Sequence, residues 1–146
     1  MKTSPRSAYP VKLERAEDRT VLVTFPDVPE AITYGEDEAD ALGRAADALE
    51  SALSVYIADR RDPPRASPAR GRPVVGPSLR GCMKLELYRA IRAGGVPRVK
   101  LARRLGIRLS HLDRLLDPRH ASRIDEIEAA LAALGKRLDV ALRSVA

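Results

Sequence analysis

Aromatic side chains are scarce: the 146 residues include four tyrosines, one phenylalanine and no tryptophan. Sequence-independent binding of single-stranded nucleic acid relies on stacking bases against aromatic rings, so the scarcity argues against such a platform, while duplex binding needs no such residues. Cysteine is rarer still. Cys82 alone cannot form an intramolecular disulfide, and the opening Met1-Lys2-Thr3-Ser4-Pro5 has no apolar signal core, so a cytoplasmic location is expected. With no His or acidic neighbour beside it, Cys82 reads as a small buried residue early in a helix rather than a reactive thiol. No stretch approaches the ~20 consecutive apolar residues of a bilayer span, and no membrane partner is expected. The two histidines, His111 and His120, lie at metal-ligand spacing from no other His or Cys, so neither a metal nor another cofactor is expected.

Charge is present in both signs but unevenly distributed. Residues 1–62 hold 8 Lys/Arg against 13 Asp/Glu, a net of −5, and residues 63–146 hold 18 against 7, a net of +11. A polyanion-binding half is thereby joined to one that nucleic acid repels.

The patterning divides at the same place. Tyr9, Val11 and Leu13 share the two-residue period of a strand within residues 8–14, with Pro10 suited to an edge. After the turn Ala16-Glu17-Asp18, Val21, Val23 and Phe25 mark the returning arm of a hairpin, and residues 31–34 a third strand ending at Gly35. Asp37 is placed to cap a helix running to about Asp59, whose buried stripe is Leu42, Ala45, Ala46, Leu49, Ala52, Leu53, Tyr56 and Ile57. Residues 60–77 carry five prolines and five arginines and read as a linker, in which Arg72-Pro73-Val74-Val75 could add a short strand. Beyond Ser78 the period is helical. One helix stops at Gly94-Gly95, a second spans 98–105, a third spans 109–116 before Pro118, and a fourth begins near Ile124 and stops at Gly135. Leu138, Val140 and Leu142 then alternate as a strand. The fold class is α+β: a small antiparallel sheet with a packed helix over residues 1–77, linker included, followed by an all-helical unit over 78–146 with a C-terminal strand.

Residues 98–116 carry the requirements of a helix-turn-helix. Ala102 is small where two helices cross, Gly106 permits the tight turn, and Leu101, Leu105, Ile107, Leu112 and Leu115 clamp the pair. The second helix would present its first residues, Leu109, Ser110 and His111, to base edges in a major groove, with Arg114 one turn on. Lys100, Arg103, Arg104 and Arg108 would neutralise phosphates and make affinity strongly salt-dependent. A basic bundle with solvated charges is the bland alternative, but it need not combine small residue, turn glycine, apolar clamp and clustered cations. The first half offers no comparable chemistry. Two-metal nuclease sites need several carboxylates converging on one pocket, whereas only Glu14 and Asp27 lie at strand ends, and a half without histidine supplies no Ser-His or Cys-His pair. No catalytic residue is assigned.

The run from Tyr9-Pro10-Val11 through Val23-Thr24-Phe25-Pro26-Asp27-Val28-Pro29 and Thr33-Tyr34-Gly35, followed by an acidic-capped, alanine-rich helix, resembles the HicB family of antitoxins. Leu87-Tyr88-Arg89-Ala90-Ile91, Leu101-Ala102-Arg103-Arg104-Leu105-Gly106-Ile107 and Leu115-Leu116-Asp117-Pro118-Arg119-His120 resemble its helix-turn-helix variant. The resemblance implies a partial, catalytically inactive ribonuclease-H-like first domain. That domain binds and masks a HicA toxin, a small basic ribonuclease that cleaves mRNA, through residues the resemblance does not specify. It also implies a second domain that represses the chain's own operon by binding operator DNA as a homodimer or higher oligomer. Two departures from the pattern stand out: Arg108 and Leu109 lie where such motifs often carry a Ser or Thr cap and a Gln. Asp113 stands where a small polar residue is common and would repel a facing phosphate. The other function classes are a ligand-sensing transcriptional regulator without a toxin partner and a nuclease using Glu14 and Asp27.

Overall fold

The computed structural model describes residues 7–144. In chain order these form β1 (Tyr9–Pro10), β2 (Lys12–Arg15), β3 (Val21–Thr24), β4 (Ile32–Gly35), α1 (Glu38–Ala58), β5 (Val74–Val75), α2 (Leu79–Gly94), α3 (Arg98–Leu105), α4 (Leu109–Leu116) and α5 (Ile124–Ala133). The α+β class expected from the patterning is the one found.

The first expected strand is split in two. Pro10 has no N–H to donate to a ladder, and the N–H of Val11 turns to the carbonyl of Pro73 at 2.9 Å. β1 therefore pairs antiparallel with β5, Tyr9 opposite Val75, so residues 74–75 do form a strand, in a two-stranded sheet of their own. β2, β3 and β4 make the antiparallel sheet, with Leu13 opposite Val23 and Val23 opposite Thr33. The β2–β3 hairpin is tied by Asp18, which accepts from the N–H (3.0 Å) and hydroxyl (2.6 Å) of Thr20.

α1 covers one face of this sheet and packs chiefly on β4. Its start is fixed by Asp37, whose carboxylate accepts from the N–H of Asp40 at 2.8 Å, while the Asp40 carboxylate reaches back to the N–H of Glu36 at 2.9 Å. A cap of this kind is worth about 1 kcal/mol. Burial of Leu49 and Leu53, both fully enclosed, contributes roughly 1.5–3 kcal/mol each, so packing rather than capping holds the helix. The buried stripe begins one residue earlier than the periodicity suggests, at Ala41 rather than Leu42, which with Ala46 is only partly buried. Gly35 is the reason: a Cβ there would lie 2.3 Å from the backbone nitrogen of Ala41, so the missing side chain lets β4 and the first turn of α1 touch.

Residues 60–77 are anchored at several points. The Tyr9 hydroxyl donates to the Pro64 carbonyl (2.7 Å) and the Tyr88 hydroxyl to the Arg61 carbonyl (2.9 Å). Arg92 donates to the Arg60 carbonyl (2.8 Å) and pairs with Asp62. Asp27 accepts from both the N–H (2.8 Å) and the hydroxyl (2.6 Å) of Ser67. Glu50 of α1 accepts from the N–H (2.8 Å) and hydroxyl (2.6 Å) of Ser78, the residue that caps α2.

The four later helices surround Leu85, Leu87, Tyr88, Ile91, Ile127 and Leu131, all buried. The strand expected at 138–142 is not formed: residues 136–144 carry neither helix nor strand. An isolated strand has unpaired N–H and C=O groups on both edges, and among the described residues none offers it a ladder. Leu138 packs on the core, but Val140 is 85% exposed and Leu142 wholly so.

Replacing Gly35 with alanine forces a Cβ into backbone that cannot yield locally. The expected loss is about 3 kcal/mol, read in thermal denaturation as a melting temperature lowered by roughly 10 °C.

Candidate nucleic-acid interface

The turn between α3 and α4 is set by Gly106 at φ 66°. Its N–H donates to the carbonyl of Arg103 (3.2 Å) and that of Ile107 to the carbonyl of Ala102 (3.0 Å), the paired bonds of a Schellman motif. Leu101, Ala102, Leu112, Leu115 and Leu116 are buried between the helices, with Leu105 and Ile107 packed against them. The apolar clamp read from the sequence is the one that closes the motif.

Outside that clamp, Lys100, Arg103, Arg104, Arg108, Leu109, Ser110 and Arg114 are exposed on the two helices and their turn. His111 stands apart: it is half-buried, and its Nε2 lies 3.1 Å from Glu126 Oε1 on α5. The structure thus brings together seven of the eight expected residues on the surface and engages the eighth with a neighbouring helix. Arg108 provides no side-chain cap for α4. Asp113 does not stand as an uncompensated charge. Its carboxylate accepts from Arg98 Nη1 at 2.8 Å, and the Arg98 guanidinium in turn lies 5.9 Å from the centre of the Tyr88 ring. The residue that looked hostile to phosphate ties the start of α3 to the outer face of α4.

A buried cation completes the arrangement. Lys84 on α2 is 0% exposed, and its Nζ donates to the carbonyls of Arg114 (2.9 Å), Asp117 (2.8 Å) and His120 (2.6 Å) and to Ser122 Oγ (2.8 Å). The Arg114 and Asp117 carbonyls belong to the last turn and cap of α4, where helical carbonyls lack intrahelical partners and carry partial negative charge. Burial pushes the Lys84 pKa down to about 8 while the Asp117 carboxylate pulls it upward, and the three carbonyls around Nζ, which can only accept, call for the protonated ammonium. One side chain therefore fixes both the end of α4 and the turn that follows it.

Among its described residues the sheet half assembles no comparable centre. Glu14 pairs with Lys12 at 2.8 Å in solvent, Asp27 is engaged with Ser67, and among the described residues no three His, Cys, Asp or Glu are grouped to hold a metal. Cys82 is partly buried, and desolvation raises its thiol pKa, in keeping with a packing role. Among the described residues no helix is long and apolar enough to cross a membrane.

Residues 8–86 match the family model described as the HicB-like antitoxin of bacterial toxin-antitoxin systems. The chain belongs to this antitoxin family. It is 37% identical over 137 residues to Antitoxin HicB 2 of Photorhabdus laumondii, covering 94% of this chain and 97% of that one. It is 35% identical over 135 residues to Antitoxin HicB of Escherichia coli K12, covering 92% and 98%. Antitoxin HicB 1 of Photorhabdus laumondii is 33% identical over 134 residues, covering 92% and 86%. The family model ends within α2, whereas these alignments span most of the helical half as well.

Within this antitoxin, sequence reasoning missed Lys84, Arg98 and Glu126. A lysine within an amphipathic helix reads as solvent-facing, and only its enclosure by apolar neighbours on both sides, Met83 and Leu85, hinted otherwise. Lys84→Met keeps the buried stem but strips three carbonyls and a hydroxyl of their donor. The expected cost is about 3 kcal/mol, measured by chemical denaturation, with faster amide exchange concentrated at residues 114–122.

Proposed function

We propose that this antitoxin binds and masks a HicA-type mRNA-cleaving toxin through the acidic sheet half, and represses its own operon through the helix-turn-helix. It acts by binding, without covalent chemistry. The observation that carries the DNA-binding role is the exposed set Lys100, Arg103, Arg104, Arg108 and Arg114 around a closed helix-turn-helix whose one intruding acid, Asp113, is paired with Arg98. Ser110 and Leu109 at the start of α4 are then the residues nearest base edges, and the cations hold phosphates. Residues 1–62, at −5, repel DNA and attract a basic ribonuclease, favouring rapid and selective association. On this reading residues 1–77 and 78–146 divide the two tasks.

The quadruple variant Lys100→Ala, Arg103→Ala, Arg104→Ala, Arg114→Ala should lose at least ~100-fold in operator affinity at moderate salt and flatten the salt dependence, while still neutralising the toxin. Equal operator affinity for variant and wild type in a mobility-shift titration would overturn the DNA-binding assignment.

The terminal segment supports operator binding as a homodimer. Leu138 and Val140 border a groove of about 800 Å³ between α2 and α5, with Leu79, Met83 and Ile124 on its apolar wall and Glu86, Asp125 and Glu128 on its rim. Lys136 and Arg143 of the segment complement that rim in charge, while Arg137 is paired with Asp139 within the segment at 3.2 Å. A homodimer that pairs these segments and closes the groove gives the two-fold symmetry an operator palindrome requires. Deleting residues 137–146 should halve the mass in light scattering; an unchanged mass would count against this interface.

A further inference from the structure

The three-stranded sheet has a second face, opposite α1. The register sets Leu22 beside Tyr34 and Thr24 beside Ile32, with Glu14 and Lys12 completing the two rows on β2. Ile32 is 59% and Tyr34 63% exposed, far from the burial usual for large apolar residues on a sheet. β4 is also the outer strand in the order β2-β3-β4, so its edge facing away from β3 meets no further strand among the described residues. Such edges are ordinarily blunted by lysine, proline or a bulge. Ile32-Thr33-Tyr34-Gly35 contains neither residue type, and its pairing with β3 runs without interruption.

Charge says what fits there. From Thr20 to Gly43 the chain has no Lys or Arg, and it carries Asp27, Glu30, Glu36, Asp37, Glu38 and Asp40. Two copies joined along β4 would bring these acids together. The negative field therefore discourages self-pairing, as lysine does on other edges, and favours a partner of opposite sign. Several of the acids already have local work, Asp37 and Asp40 at the helix start and Glu30 as acceptor for the Tyr56 hydroxyl at 2.7 Å, but their charge remains at the surface.

We propose that the open edge of β4, with Leu22, Ile32 and Tyr34 on the adjoining face, is the surface that docks the toxin, and that the partner is a basic protein contributing an extended strand. Backbone bonds along Ile32–Gly35 supply affinity and the apolar side chains supply the anchor. The inference rests on the antitoxin reading above and adds to it the place of contact.

The test uses the full chain co-expressed with the toxin encoded beside it, followed by co-purification and titration calorimetry. Ile32→Lys with Tyr34→Lys places two cations on exposed positions, and should weaken toxin binding by at least ~100-fold with melting temperature and operator binding unchanged. Val55→Lys, at a half-exposed position on α1, should bind the toxin like wild type. In the wild-type complex, amide exchange at residues 32–36 should slow on toxin addition. Wild-type toxin affinity in the double-lysine variant, or unaltered exchange at 32–36, overturns the docking surface and leaves the antitoxin reading intact. Failure of the wild-type chain to bind the toxin overturns both.

Discussion

The helical half depends on one ammonium group removed from water. A buried charge is costly unless its protons are all taken up, and Lys84 offers three to four acceptors that lie 30–38 residues further along the chain. The demand works in both directions. The charge requires the end of α4 and the turn 117–122 to gather around it, and those carbonyls require a donor because the helix has ended. α2, which carries Lys84, is itself held to the sheet half by Glu50 at its cap and by Tyr88 on the Arg61 carbonyl. Position is thus passed from the sheet through α1 and α2 to the outward face of α4 by bonds that each have a specific partner.

The electrostatics of the two halves follow from where charges could be accommodated. In the sheet half, carboxylates gather at the start of α1, where they complete orphan N–H groups and favour the positive end of the helix dipole. In the helical half, cations project from short helices whose buried faces are already filled by leucine and alanine. A single chain can then carry fields of opposite sign, because they originate on separate elements and are screened over about 8–10 Å at physiological salt.

Features governed by neighbours in sequence were legible before the structure. The Asp37 cap, the Gly106 turn, the leucine clamp and the exposed cations each follow from residues within a turn or two of one another. Features governed by distant partners were not. Nothing near Asp113 announces Arg98, fifteen residues earlier, and nothing near His111 announces Glu126, fifteen residues later. The burial of Ala41 in place of Leu42 depends on how closely β4 can approach α1, which periodicity alone does not encode. The bend at Val11 was signalled by Pro10, but its direction was decided by the Pro73 carbonyl. The terminal alternation of Leu138, Val140 and Leu142 is a real pattern in the chain, but among the described residues no strand lies beside it to supply a ladder.

The connection between the halves is held largely through its backbone. Tyr9, Tyr88 and Arg92 each reach a backbone carbonyl of residues 60–64, and Arg92 engages the Asp62 carboxylate as well. A carbonyl is present whatever the residue, so most side chains of this stretch can drift over evolutionary time without loosening the join. Its length is another matter, since inserting or deleting a residue would shift every carbonyl past its donor. The segment should therefore vary freely in composition among homologues while staying fixed in spacing, acting as a ruler rather than a recognition sequence.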